Sequence, residues 1–225
     1  MAEQKTDTGF PSCVDCLNAP CREGEGAFPL FCPNQTLAEA ELAEALEACR
    51  LDPMDQAVAL AACETEEAAF CGSMTRVEET MEFARRIGAK KIGIASCVGL
   101  LSESHTLARI LRVNGFEVYG ICCKVGSLSK LETGLSPEQL AKFRNGPIMC
   151  NPIGQALLLN RAGTQLNILM GLCVGHDTLF YRFCEGYCTT LVTKDRILAH
   201  NPAGALYETG SFYRRLLPPE EKQRS

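Results

Sequence analysis

From Thr36 onward the apolar residues recur every three or four positions or gather in short blocks, and the two patterns alternate along the chain. Thr36-Leu37-Ala38-Glu39 has the form of a capping box, with hydroxyl and carboxylate each taking a free N–H of the first turn. It predicts an Ala/Leu/Glu helix to about Arg50, and Pro53, at a start where no N–H is needed, opens a second that ends near Gly72. Thr75-Arg76-Val77-Glu78 is another capping box, and Val77, Met81 and Ala84 then share one helix face up to a stop at Gly88. Lys91 to Ser96 reads as a short buried strand, followed by a helix from about Ser102 that closes at Asn114-Gly115. Phe116 to Ile121 is a second strand. Ser136-Pro137-Glu138-Gln139 begins a short capped helix after a polar loop from Lys124 to Thr133.

Asn151-Pro152 starts a helix that ends at Ala162-Gly163; Leu166 to Gly171 is a third strand, and His176 to Phe183 a helix. Thr189 to Thr193 is a fourth strand, with a last short helix over Pro202 to Tyr207. Strands separated by helices predict an α/β fold with an open, mostly parallel, Rossmann-like sheet and flanking helices. Residues 1–35 show no such period and are rich in Pro, Gly and Cys, so something other than a core must hold them. The expected organisation is a cysteine-rich metal-binding head over 1–35, a helical linker region packed on the main domain over 36–74, the α/β domain over 75–217, and a frayed tail over 218–225.

Composition narrows the classes. A net charge of -5 and a pI near 5.4 argue against a general nucleic-acid binder. The polar N-terminus and the short apolar runs argue against a signal peptide or a membrane span, and point to the cytoplasm. There thiols stay reduced, so fourteen cysteines are expected to serve metal ligation or thiol chemistry ahead of disulfides.

Two constellations carry that chemistry. Cys13, Cys16, Cys21 and Cys32-Pro33 lie within twenty residues and form a candidate metal quartet, suited to zinc or to a [4Fe–4S] cluster. The second set is dispersed: Cys97 follows the first strand, Cys122 and Cys123 the second, Cys173 the third, and Cys150 precedes the Asn151-Pro152 helix. In an open parallel sheet these positions converge on the carboxyl rim, where ligands bind. They are the candidate ligands of an iron–sulfur cluster, with either Cys122 or Cys123 as ligand because neighbours in extended chain face opposite ways. His176, Asp177, Lys194, Asp195, Arg196 and His200 gather at the same rim as candidate acid–base and anion-holding groups, with Lys124 beside them. Cys49, Cys63 and Cys71 read as structural, and Cys184-x3-Cys188 as a local pair of undecided role. No strand-to-helix turn carries Gly-x-Gly-x-x-Gly, so no dinucleotide is expected.

These blocks together resemble a family of cysteine-rich bacterial and archaeal proteins catalogued as a domain of unknown function, for which metal binding is the expected property. The resemblance rests on the Cys13 to Cys32-Pro33 head, Lys91 to Cys97, Cys122 to Gly126, Cys150 to Ile153, Gly171 to Asp177, and Lys194 to Ala203. It implies metal sites and leaves the reaction open; Cys184 and Cys188 read as additions to the family pattern. Two functions are expected on these grounds. One is an iron–sulfur enzyme that acts on a small molecule by redox or sulfur-transfer chemistry at the sheet edge. The other is a non-catalytic electron-transfer or zinc-stabilised module with a redox partner.

Overall fold

A computed structural model describes residues 12–16, 18–24, 26–70 and 72–217. The expectations for the extreme N-terminus, for Cys71 and for the 218–225 tail lie outside these residues. The chain divides into two compact units, Met1–Leu60 and Ala61–Ser225, with the division falling inside a helix.

The first unit begins with three short 3-10 turns, Cys13–Asp15, Pro20–Arg22 and Pro33–Gln35; Cys13 and Cys21 lie in the first two, and Cys16 and Cys32 flank the first and the third. A backbone hydrogen bond from the Ser12 N–H to the Phe31 carbonyl (3.1 Å) draws these two parts of the head together. Helix α1 (Glu39–Leu51) starts three residues after Thr36. Its N-cap is Ala38, whose N–H is taken by the Glu41 carboxylate at 2.8 Å. The Thr36 hydroxyl instead donates to the Pro33 carbonyl at 3.1 Å, so the expected Thr36–Glu39 box does not form. Helix α2 (Pro53–Ala69) begins at its proline as expected.

The second unit is the α/β domain. Helix α3 (Arg76–Arg86) opens on the expected capping box: Thr75 accepts from the Glu78 amide, and Glu78 accepts from the Thr75 amide at 2.7 Å. Those bonds hold the Glu78 carboxyl below its ordinary range. Four strands follow, β1 (Lys91–Ser96), β2 (Glu117–Cys122), β3 (Leu166–Met170) and β4 (Tyr187–Val192), with α4 (Leu101–Val113) between the first two. The short α5 (Pro137–Leu140) and then α6 (Pro152–Ala162) link β2 to β3, α7 (His176–Phe183) links β3 to β4, and α8 (Ala203–Tyr207) comes last. β4 begins two residues earlier than its pattern predicted and takes in Cys188.

All pairings are parallel and the order is β2-β1-β3-β4. The central strands are buried almost throughout, whereas both edge strands are partly exposed. Central parallel strands lie between covered faces, which is why β1 and β3 read as continuous apolar runs. α4 and α6 both pack against β1 and β2. Ile92, Ile94, Leu159, Ile168, Leu169 and Phe180 fill the core with almost no exposed surface. Each such side chain contributes roughly 1.5–3 kcal/mol on burial. Among the described residues no helix is long and apolar enough to cross a membrane.

Candidate functional site

β1 leads to β2 on one side, and the chain then crosses back through α6 to β3 on the other. The carboxyl ends of β1 and β3 therefore flank the point where the winding reverses, where α/β sheets open a crevice. The ladder runs one residue past the strands there. The Cys97 amide donates to the Met170 carbonyl (2.9 Å) and the Cys123 amide to the Ser96 carbonyl (2.8 Å). Both side chains are thereby fixed in the rim, and both are buried.

The two sulfurs meet. The Cys123 thiol donates to the Cys97 sulfur, and this is the foremost reason that the Cys97 thiol is held down to about 5. Burial opposes the effect, while the Gly99 amide and the Lys194 ammonium reinforce it. Cys123 moves the other way. Its proton is held by Cys97, and burial and the nearby Cys150 sulfur push it further up, against the Val98 amide that donates to its sulfur at 3.3 Å. Thiolate character at this rim thus belongs to Cys97.

Gly171, which has φ +66°, lies beside the Lys194 side chain just past β3. A Cβ at that position would stand 2.1 Å from Leu100 Cδ1 and 3.6 Å from Lys194 Cδ, so only glycine suits both its backbone and its neighbours. The loop carrying Lys194 is tied by its own residues. The Asp195 carboxylate accepts from the Leu198 and Ile197 amides (both 2.8 Å), which holds it below its ordinary range. His200 Nδ1 accepts from the Asp195 amide at 3.1 Å, and the His200 amide donates back to the Asp195 carbonyl at 2.9 Å. Asp195 and His200 thus brace one turn, and Arg196 projects from it to donate to the Cys173 sulfur at 3.0 Å.

The remaining candidates have local partners. The Lys124 amine donates to the Ile148 carbonyl at 2.7 Å and ties the loop after β2 to the segment before Cys150. Asp177 accepts from the Gly175 and Thr178 amides in the first turn of α7, and His176 opens that helix, half-buried. Cys122 ends β2 and packs, like Cys150, against the buried cluster that contains Cys97 and Cys123. Asn151 caps α6 by accepting from the Gly154 amide (2.8 Å), and its own amide donates to the Cys123 carbonyl (2.7 Å). In this way α6 is anchored directly at the rim.

The rim therefore unites Cys97, Cys123, Cys150 and Lys194, with the Arg196–Cys173 pair on the neighbouring strand end. The head cysteines belong to the other unit; Cys32 is buried, while Cys13 and Cys21 are exposed. Among the described residues no group of three His, Cys, Asp or Glu side chains is arranged to hold a metal ion. The donors have the chemistry of a cluster or zinc site, but the Cys97–Cys123 contact is one of paired thiols and not of ligands spaced around a metal. Cys63, read from the sequence as structural, is exposed on α2.

One residue at the rim had not been anticipated. Gln155 is fully buried, and its Nε2 donates to the Ile121 (2.7 Å) and Ser96 (3.1 Å) carbonyls, tying the ends of β1 and β2. Its Oε1 is buried without a hydrogen-bond partner among the described residues. The available signal was an amide inside the apolar stretch that follows Asn151-Pro152.

Fold and site define a small parallel α/β protein with paired thiols at its switch point. The chain belongs to the family described as "Protein of unknown function (DUF1847)", whose model matches residues 32–191. Cys32 and the rim cysteines fall inside the match, whereas Cys13, Cys16, Cys21 and the Lys194 to His200 loop fall outside it. A protein of Methanocaldococcus jannaschii, described as uncharacterized, is 46% identical over 153 residues, which span 67% of this chain and 76% of the relative. No solved structure matches the chain.

Proposed function

We propose that the protein acts on a small molecule by sulfur transfer coupled to thiol redox chemistry at the sheet rim, with Cys97 as the attacking atom. The observation that carries this reading is the position of the Cys97 sulfur, at the switch-point crevice between the Cys123 thiol and the Lys194 ammonium. A thiolate at that position attacks the outer sulfur of a small persulfide, R–S–SH. The S–S bond breaks, R–S⁻ departs with the electron pair, and Cys97 carries the sulfur as a persulfide. Cys123 then loses its proton and attacks the inner sulfur of Cys97. Hydrosulfide leaves with that proton, the two cysteines close as a disulfide, and a small dithiol restores them. Lys194 and Arg196 offer positive charge to an anionic substrate group.

A second reading is favoured by the approach of Cys97, Cys123 and Cys150 to one another from three separate segments, with Cys173 on the next strand end. After side-chain rotation these sulfurs would suit a soft metal centre, an iron–sulfur cluster above all. One preparation tests both. The protein is purified without oxygen, its iron, acid-labile sulfide and zinc are measured, and it is then offered a low-molecular-weight persulfide. Metal-free protein that gains one sulfur on Cys97 and releases sulfide only when Cys123 is present supports the thiol reading. Stoichiometric iron and sulfide lost in Cys97→Ser would replace it with the cluster reading. Protein with neither metal nor sulfur uptake would sink both.

A further inference from the structure

A cavity of about 470 Å³ opens between the end of α2, helix α3 and strand β4, all within the second unit. Its volume falls in the range of small-molecule sites, roughly 300–1,000 Å³. None of the described residues that line it belongs to the rim. Each helix turns one face toward it, at the i, i+3, i+4, i+7 spacing, α2 from Ala62 to Ala69 and α3 from Arg76 to Phe83.

The polar groups on those faces are mostly acceptors. Thr65 and Thr80 are buried, and their hydroxyls donate to the Ala61 and Arg76 carbonyls one turn back (both 2.7 Å). Each of these oxygens therefore has only lone pairs left to offer. Glu66 and Glu79 add carboxylates. The cation of the wall, Arg76, is already engaged: its guanidinium donates to the Thr189 hydroxyl at 3.1 Å and lies 3.7 Å from the Glu79 carboxylate. Among the described residues the lining thus carries two carboxylates against one guanidinium. Phe70 and Phe83 supply ring surface beside these groups, and Phe70 is largely exposed without a covering group.

We infer that this cavity binds a small cationic amine with an aromatic body. Its ammonium donates to the Glu66 and Glu79 carboxylates and to the threonine oxygens. Its ring packs against Phe70 and Phe83, whose faces also attract the positive charge. A carboxylate of the same shape meets Glu66 and has to compete with Glu79 for Arg76, so charge selects the amine.

The test titrates the full chain at pH 7 and low ionic strength with 2-phenylethylamine, 2-phenylethanol and 3-phenylpropionate. These probes share one shape and differ in charge, and their binding is followed by saturation-transfer NMR. The amine is expected to bind most tightly, the alcohol severalfold more weakly and the acid most weakly. Glu66→Gln, at an exposed position, should weaken the amine about two- to fivefold and leave the alcohol unchanged. Combining it with Glu79→Gln releases Arg76 and should place the acid first. Ala62→Phe, which fills the cavity from an exposed position on α2, should abolish binding of all three. An acid or alcohol that binds the wild-type chain as tightly as the amine would overturn the inference. So would an amine affinity that Glu66→Gln or Ala62→Phe leaves unchanged, or the absence of binding by every probe.

Discussion

The low position of the Cys97 thiol can be read directly from its reactivity. Trypsin releases Cys97 alone among the cysteines on residues 92–109, so its alkylation by iodoacetamide can be followed by mass against pH. With Cys97 held at about 5, about nine-tenths of it is thiolate at pH 6, against about 0.3% of an ordinary cysteine titrating near 8.5. That is an advantage of roughly 300-fold in reactive form. Thiolate nucleophilicity falls with pKa at a slope of about 0.4–0.5, which returns roughly 40-fold of it. Per accessible sulfur, Cys97 should therefore react about eightfold faster at pH 6 than a free cysteine thiol titrating near 8.5, and more slowly than it at pH 9. The crossing of the two profiles is the signature. Cys123→Ala removes the largest cause and should move the Cys97 profile furthest toward the ordinary range; Lys194→Met should move it in the same direction by less. A Cys97 rate that climbs through pH 8 to 9 like that of a free cysteine thiol, or that is untouched by Cys123→Ala, would refute the reasoning.

The supporting structure makes its own predictions. Asn151→Ala removes the α6 cap and should cost about 1 kcal/mol in urea unfolding, while the backbone bond from residue 151 to the Cys123 carbonyl is kept. Gly171→Ala forces a side chain into a left-handed backbone against Leu100 and should cost about 1–2 kcal/mol in urea unfolding. Asp195→Ala frees the loop that presents Lys194 and Arg196, and should raise the Cys97 profile while leaving global stability nearly unchanged. The Asp195 carboxyl is lowered in the folded chain, so its bracing is complete above the ordinary aspartate pKa and is lost as pH falls through the lowered value. Proteolysis of the 194–200 loop should accordingly quicken only in acid.

Much of this protein was legible in one dimension. The Thr75–Glu78 box, the Asn151-Pro152 start and the apolar runs at Lys91 to Ser96 and Leu166 to Met170 are local signals. Backbone geometry and the burial of central parallel strands fix their meaning without any partner, and they placed the α/β fold and the cysteines of one rim. Where competing local signals lay close together, as at Thr36 and Glu41, the sequence pointed to the wrong cap. The limits of an edge strand were also blurred, because β4 is half-covered and lacks a continuous apolar run. What only the tertiary structure decided is which groups touch. Cys97 and Cys123 are twenty-six positions apart, and Lys194 is far from both. Hydrogen bonding and charge act over a few ångströms of space rather than along the chain. That is why Cys97 and Cys123 looked alike in the sequence and titrate in opposite directions once folded.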